Sequence, residues 1–169
     1  MQNGSRRNFL GQLGAAAALT AGSPALLAAQ KRPHHSSHQH VQDGVFYFSG
    51  TGANDGYPPN DRVTVTHPFE KHVRRTMEAM KKTLEENGCT IDSVLHLNVF
   101  VCLPLSDSTP MPTGKARFDA YEEHYKALNA IYFPYFSHGH APSRAFMAVD
   151  WIPGDSLVEI VGCAKVVNA

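Results

Sequence analysis

The spacing of hydrophobic residues predicts two helices in the body of the chain. Between 68 and 87, and again between 114 and 128, apolar residues recur every three or four positions, which places them on one face of a helix. Pro68 suits the first turn of the earlier helix, and Gly88 suits its end. The first stripe consists of Phe69, Val73, Met77, Met80 and Leu84, and the second of Phe118, Tyr121, Tyr125 and Leu128. Both stripes are expected to face the core.

Runs of β-branched and aromatic residues predict five strands, at 45–48, 62–66, 94–103, 145–151 and 157–167. The third run is partly apolar on both faces, which is typical of a central strand. One of its faces is expected to hold Leu95, Leu97, Val99 and Val101. The last two runs flank a Pro153-Gly154-Asp155 turn, which indicates a hairpin.

The order of these elements, β-β-α-β-α-β-β, predicts an α+β fold with one sheet and both helices on one of its faces. The chain has 169 residues, a length that suits one folded domain. The face of the sheet without helices still carries apolar residues. A second copy of the chain is the expected cover for that face.

The distribution of charge argues against nucleic acid as a partner. Lysine plus arginine and aspartate plus glutamate each number 15, for a formal net charge of zero. Four of the basic residues lie in the first 32 positions, which hold no acidic residue, so the remainder carries 11 basic and 15 acidic residues. An acidic body lacks the basic face that displaces counterions from nucleic acid.

Residues 1–29 are interpreted as an export signal. The segment Ser5-Arg6-Arg7-Asn8-Phe9-Leu10 is similar to a twin-arginine motif, and a weakly apolar stretch with alanines near its end follows it. The protein is therefore expected to be periplasmic or secreted. The stretch is too short and too rich in glycine for a stable membrane anchor, which needs about 20 apolar residues. An ordinary secretory signal or an amphipathic helix stays open as the alternative.

A histidine-rich linker is predicted over 30–43, ahead of a folded domain over 44–169. The linker contains His34, His35, His38 and His40. Two interpretations stay open, a flexible site for Zn²⁺ or Cu²⁺ and a solvated linker with incidental histidines. No fixed metal site is assigned, because no cysteine or carboxylate stands within the histidine run.

Two short motifs near the end of the chain carry the most specific chemistry. Pro142-Ser143-Arg144-Ala145 leads into one predicted strand, and Leu157-Val158-Glu159-Ile160 begins the next. Together they resemble the signature of the YjgF/RidA family of reactive-intermediate deaminases, the Rid family. The segment from Gly44 to Gly50, Gly-Val-Phe-Tyr-Phe-Ser-Gly, is similar to a strand of that family, and Gln39-x-Val41-x-x-Gly44 to the unit before it.

The resemblance implies a chorismate-mutase-like fold, assembled as a homotrimer with small-molecule clefts between subunits. It implies hydrolysis of 2-imino or enamino acids to 2-keto acids and ammonia, without metal or cofactor. Arg144 is then expected to bind the substrate carboxylate through its planar, charged fork. Glu159 is expected to be the catalytic residue that positions a water and accepts its proton. The other residues implied to contact substrate are Ser49, Gly50, Phe118 and Phe146.

Three positions depart from the active deaminases of the family. Phe118 stands in place of an asparagine, Phe146 in place of a cysteine and Ser37 in place of a tyrosine. These changes remove polar partners and make the predicted cleft more aromatic. An alternative function therefore stays open, a periplasmic trimer that binds small carboxylates without catalysis. In both cases the expected partners are a small-molecule carboxylate and other copies of the chain.

The predicted hairpin also bears on where the site is built. With Gly154 near its centre, Arg144 would lie opposite residue 164 and Glu159 opposite Val149. The two side chains would then lie on opposite faces and about 16 Å apart along the strand, unless a bulge or sharp coiling of the strands brings them together. A neighbouring chain in a closed ring is therefore expected to supply part of the site.

Overall fold

In the part of the chain that the structure describes, seven main elements follow one another in the β-β-α-β-α-β-β order expected from the sequence. The computed structural model describes residues 39–104 and 110–167. The predicted signal over 1–29 lies outside these residues. The sheet order is β1-β2-β5-β3-β4; β3 and β4 are parallel and the other neighbours antiparallel. The elements are β1 (Gln39–Gln42), β2 (Val45–Gly52), α1 (Phe69–Glu86), β3 (Val94–Val101), α2 (Gly114–Tyr132), β4 (Ser143–Ala148) and β5 (Val158–Lys165). The α+β prediction is confirmed.

The first pair of strands differs from the expected one. Residues 62–66 form no strand, and β1, which lies in the segment predicted as linker, pairs with β2 instead. Asp43 and Gly44 connect the two at φ angles of 51° and 75°. A two-residue hairpin turn of type I′ requires this left-handed pair, and Asp-Gly adopts it readily. Val63 is fully buried, so the alternation over 62–66 reflects a loop anchored in the core.

The last two strands do not form the predicted hairpin. β4 pairs in parallel with β3, and β5 lies between β2 and β3. Gly154 and Asp155 do form a turn, with positive φ angles of 75° and 60°, but this turn belongs to a crossover past β3. β5 takes a central position because its apolar side chains can be buried there. Val158, Ile160 and Ala164 are at most 1% exposed.

The core lies between one face of the sheet and the two helices. The apolar stripe of α1 is buried in it, as the spacing predicts. Fully burying a large apolar side chain stabilises the fold by about 1.5–3 kcal/mol, so these side chains fix which face of the sheet the helices cover. The sheet contributes Phe46, Phe48, Leu97, Val99 and Ile160, which are 2% exposed or less.

A bulge in β3 makes the predicted face of Leu95 wrong. The pairing of β3 with β5 shifts between Val94 and His96. Val94 therefore enters the core, and Leu95 is left 49% exposed. The prediction assumed strict alternation, which one extra residue in the pairing interrupts.

The aromatic stripe of α2 is only partly buried. Phe118 is 63% exposed and Tyr125 42% exposed. The buried residues lie near the end of the helix and are Leu128, Ile131 and Tyr132. α2 packs over β4, where the ring of Tyr125 is 5.0 Å from that of Phe146. β4 is at one edge of the sheet, so within one copy the first part of the stripe has little to pack against.

Both helices leave the opposite face of the sheet, here called the open face, uncovered. Tyr47 on this face is 41% exposed. His96 joins neighbouring polar groups there, with Nδ1 2.9 Å from the hydroxyl of Ser143 and Nε2 3.1 Å from Oδ1 of Asn98. Cover of this face by a second copy stays a prediction. Within the parts of the chain that the structure describes, no helix is long and apolar enough to cross a membrane.

A buried histidine ties α1 to the loop before it and to β5. His72 is fully buried. Its Nε2 is 3.1 Å from the carbonyl oxygen of Thr64, and its Nδ1 accepts the N–H of Leu157 at 3.2 Å. These partners require a neutral ring with the proton on Nε2. Burial lowers the pKa of His72.

Acid is therefore expected to destabilise the fold through His72. In the unfolded chain His72 has an ordinary pKa of about 6.5. Below that pH the unfolded state binds a proton that the buried ring of the folded state does not bind. The free energy of unfolding then falls as the pH drops, by up to about 1.4 kcal/mol per pH unit, until the folded pKa is reached. Urea titrations at about pH 7.5 and 5.5 should show a larger loss in the wild type than in His72→Gln. The exposed His140 provides the control His140→Gln, and equal losses in all three proteins would contradict this role.

Candidate functional site

A cavity of about 210 Å³ opens on the sheet near the turn around Gly154. Glu159 of β5 lies opposite Phe100 of β3. The residues beside Phe100 face the core, so Glu159 points to the open face. This space is called the Glu159 cavity below. Its wall includes Gly50, Gly52, Asn54, Asp55, Arg62, Ser156 and Glu159.

A bulge at the end of β2 brings one of the predicted site residues, Gly50, to this cavity. The pairing of β2 with β5 shifts between Phe48 and Thr51. Gly50 takes a φ of 71°, a left-handed conformation that glycine adopts without strain. Gly50 lines the cavity, and Ser49 beside it is exposed.

The loop after β2 adds a second carboxylate to the cavity. Oδ2 of Asp55 accepts the backbone N–H of Gly52 at 2.7 Å. The hydroxyl oxygen of Ser156 accepts the N–H of Ala53 at 3.0 Å, which joins the same loop to the residues before β5. Asp55 is thereby held beside Glu159.

The surroundings of Glu159 favour proton exchange. Partial burial raises the pKa of Glu159, and the negative charge of Asp55 raises it further. A carboxyl group with a raised pKa exchanges its proton nearer to neutral pH, which suits a general acid or base. Within 39–104 and 110–167, no cluster of three or more His, Cys, Asp or Glu side chains is placed to hold a metal ion.

Arg144 lies in a different environment, on the helix face of β4. Its Nη2 donates to Oδ1 of Asn129 at 2.6 Å. Its guanidinium carbon is 4.3 Å from the ring centre of Tyr132 and 5.7 Å from those of Tyr125 and Phe133. Its Nη1 is buried and has no hydrogen-bond partner among the described residues. Arg144 is therefore a stacked cation with one donor group still unused.

The hydroxyl of Tyr132 is expected to contribute nothing to stability. It is buried and finds no hydrogen-bond partner in the described part of the chain, and burial raises its pKa to about 12. An unpaired buried hydroxyl costs about 1–3 kcal/mol, so Tyr132→Phe should keep or raise the free energy of unfolding. Tyr132→Leu should lower it, because the ring contact with Arg144 is lost. If urea titration shows that Tyr132→Phe loses more than about 1 kcal/mol, the hydroxyl has a partner.

Arg144 and Glu159 of one copy are too far apart to bind one small ligand. Across the sheet, Arg144 of β4 is level with Leu97 of β3 and Gly162 of β5. Gly162 is three residues from Glu159 along β5. Arg144 and Glu159 are therefore about 10 Å apart along the strands and about 10 Å apart across them, and they lie on opposite faces. The expectation of opposite faces is confirmed, although the hairpin pairing behind it is wrong.

The two predicted aromatic contacts also lie away from Glu159. Phe146 is on the helix face of β4, against Tyr125. Phe118 is exposed near the start of α2, and Ser37 lies outside the described residues. One copy thus brings Gly50 and Glu159 together at the cavity. Ser49 is next to Gly50 in the chain but is not among the residues that line the cavity, and Arg144, Phe118 and Phe146 lie elsewhere.

Reasoning from the sequence missed the loop residues of the cavity. The sequence predicts a loop around Asp55 and a strand that begins at Arg62. No short motif marks them. The available signal was the position of a Gly- and Asn-rich loop directly after the strand that carries Ser49 and Gly50.

The fold of this chain is similar to that of several solved structures. No protein-family model matches the chain. The structure of the Rid-family protein YyfA from Yersinia pestis matches with a TM-score of 0.58 at 23% identity, over 78% of this chain and 87% of that one. RidA from an Antarctic Psychrobacter matches with a TM-score of 0.56 at 19% identity, over 76% and 86%. Yeast Mmf1 matches with a TM-score of 0.56 at 20% identity, over 80% and 91%.

The chain has the Rid-family fold. The Pro-Ser-Arg motif lies at the start of β4 and the Val-Glu-Ile motif at the start of β5. The two strands are separated by β3. In one copy of this Rid-family fold, Arg144 and Glu159 therefore lie on different strands and on opposite faces of the sheet.

Proposed function

We propose that the chain is a Rid-family member that hydrolyses reactive 2-imino or enamino acids, or a related small carboxylate. The observation that carries this proposal is Glu159. It is a carboxyl group with a raised pKa in a small open cavity, at the position where the Rid resemblance implies the residue that orients water. The Rid-family fold is the second support. The proposed reaction requires neither metal nor cofactor.

Glu159 supplies the acid–base chemistry of the proposed reaction. Its carboxylate orients a water and accepts one proton as the water oxygen bonds to the carbon of a protonated imine, while the C=N electron pair moves to nitrogen. Glu159 then returns this proton to the nitrogen. The C–N bond breaks as the hydroxyl oxygen forms the carbonyl, and the hydroxyl proton leaves with ammonia as ammonium. A pKa nearer to neutral pH favours both transfers.

We also propose a homotrimer in which a neighbouring copy presents Arg144 to the Glu159 cavity. Half-buried and exposed apolar side chains on the open face, including Phe100 and Tyr47, favour such an assembly. A guanidinium with an unused donor group, as Arg144 has, is suited to binding a carboxylate. The opposite faces of Arg144 and Glu159 in one copy are the reason to place the site between copies.

Ammonia release from 2-iminopropanoate tests the proposed reaction. An amino-acid oxidase acting on alanine generates this imine in place, and the protein should raise ammonia release above the spontaneous rate. The alternative function, a trimer that binds small carboxylates without catalysis, predicts binding of pyruvate in calorimetry with ammonia appearing only at the spontaneous rate. That result would overturn the deaminase proposal.

Export by the twin-arginine route is a separate proposal, and it rests on Arg6 and Arg7. Replacing both by lysine should keep the protein in the cytoplasm, because the route's receptor reads the arginine pair as an address. Cell fractionation measures the outcome. Normal export of the double variant would exclude this route.

A further inference from the structure

The Glu159 cavity contains a guanidinium group that has no partner among the residues that the structure describes. Arg62 lines the cavity together with Asp55 and Glu159. Its Nη2 lies beside the turn, 3.9 Å from where a Cβ atom would stand on Gly154. Among the residues that the structure describes, Arg62 forms neither a hydrogen bond nor an ion pair. A free guanidinium at a cavity is a ready binding group for a carboxylate.

The backbone on both sides of Arg62 is anchored. Asp61 is held by a 2.6 Å ion pair to α1, and Val63 is fully buried. The side chain of Asn54 accepts the N–H of Val63 at 2.7 Å and donates to the carbonyl oxygens of Val63 at 3.0 Å and Gly154 at 2.8 Å. Asn54 therefore joins the loop of Arg62 to the turn beside the cavity. This bonding keeps Arg62 at the cavity although the residue is exposed.

The charges of the cavity are of both signs. Arg62 contributes a cation, and Asp55 and Glu159 are close enough for the charge of one to act on the other. An anion without a positive group, bound at Arg62, would be repelled by the carboxylates of Asp55 and Glu159. A cation without a negative group, bound at these carboxylates, would be repelled by Arg62. A small zwitterion satisfies both signs at once.

We infer that Arg62 binds the carboxylate of the substrate while Asp55 and Glu159 face its protonated nitrogen, so that the cavity selects zwitterions. This inference rests on the proposed function, because a protonated 2-imino acid is such a zwitterion. Hydrolysis replaces the charged nitrogen by a neutral carbonyl oxygen. The keto acid keeps its carboxylate but loses the attraction to Asp55 and Glu159, so it is bound more weakly and released.

Arg62 and the Arg144 of a neighbouring copy are not alternatives in this arrangement. A carboxylate has about four acceptor positions and can bind two guanidinium groups at once. Arg62 lies in the same copy as Glu159, so by binding the carboxylate it would fix the distance from Glu159 to the neighbouring reacting carbon within one chain.

Calorimetry with three probes of similar size tests the inference. L-Alanine is a zwitterion, propionate has only the carboxylate, and alaninamide has only the ammonium group. The wild type should bind L-alanine at least about tenfold more tightly than either of the others, because each of these lacks one charge-assisted contact. Arg62→Gln should weaken L-alanine binding roughly tenfold or more. Arg62→Lys keeps the charge without the planar fork, so its affinity for L-alanine should lie between those of the wild type and Arg62→Gln.

Arg74→Gln is the matched control, since Arg74 is exposed on α1 and does not line the Glu159 cavity. It should bind L-alanine as the wild type does, and thermal unfolding verifies that each variant is folded. Equal wild-type affinities for L-alanine and propionate, no binding of L-alanine, or wild-type affinity in Arg62→Gln would each overturn the inference. Ammonia release by the wild type is measured separately. Release combined with unchanged affinity in Arg62→Gln would overturn the role of Arg62 and leave the proposed function standing.

Discussion

Glu159→Gln is expected to lower the rate of ammonia release from 2-iminopropanoate by about 100- to 10,000-fold, the range typical of a lost general acid–base group. The amide has the shape of the carboxyl group but cannot accept the proton of the attacking water. The stability of the fold should not decrease. The raised pKa of Glu159 means that its ionised form is less favourable in the folded than in the unfolded chain. The melting temperature of Glu159→Gln should therefore equal or exceed that of the wild type.

Glu85→Gln is the matched control for this prediction. Glu85 is exposed on α1, away from the Glu159 cavity, so the variant should keep both the wild-type rate and the wild-type melting temperature. If folded Glu159→Gln releases ammonia within about tenfold of the wild type, Glu159 is not the acid–base group.

Gly162→Ala is expected to lower the free energy of unfolding by about 3 kcal/mol or more. Gly162 lies in the middle of β5, between Phe48 of β2 and Leu97 of β3. A Cβ atom there would come within 2.5 Å of the carbonyl oxygen of His96 and 2.6 Å of Cδ2 of Leu97. The carbonyl belongs to a paired strand, so it cannot move away without weakening the sheet.

Gly52→Ala provides the control for this close approach. Its Cβ atom would lie 3.4 Å from both Cβ and Oγ of Ser156 and 3.8 Å from the carbonyl oxygen of Val158, which are ordinary contacts. The loss in Gly52→Ala should stay below about 1 kcal/mol. Urea titrations of both variants give the comparison, and equal losses would contradict the account of Gly162.

Local sequence patterns predict where the helices and turns of this fold lie better than they predict which strands pair with each other. The sequence predicts α1 to within one residue at each end, because its stripe and its flanking Pro68 and Gly88 are local signals. The turn around Gly154 looks the same whether its strands pair with each other or with a third strand. The hairpin is therefore a wrong prediction drawn from a correct turn. The bulge at Leu95 likewise depends on the partner strand.

The site is predictable only as far as motifs mark it. The Val-Glu-Ile motif points to Glu159 through the resemblance, and the structure places that residue in a cavity with Gly50. Asp55 and Arg62 carry no motif, and they meet Glu159 only because the loop folds back through contacts that are distant in sequence. The aromatic surroundings of Arg144 depend on α2 running on to Tyr132, past its predicted end at 128.

Mixing two variants tests most directly whether Glu159 and Arg144 act in one site shared between copies. Arg144→Ala and Glu159→Ala should each lose most of the activity when assayed alone. In an equimolar mixture with exchanged subunits, roughly a quarter of the sites combine an intact Glu159 with an intact Arg144 from the neighbour. Ammonia release should then rise well above that of either variant, toward about a quarter of the wild-type rate. Native mass spectrometry verifies the exchange, and activity that stays at the level of the variants in confirmed mixed assemblies would contradict the shared site.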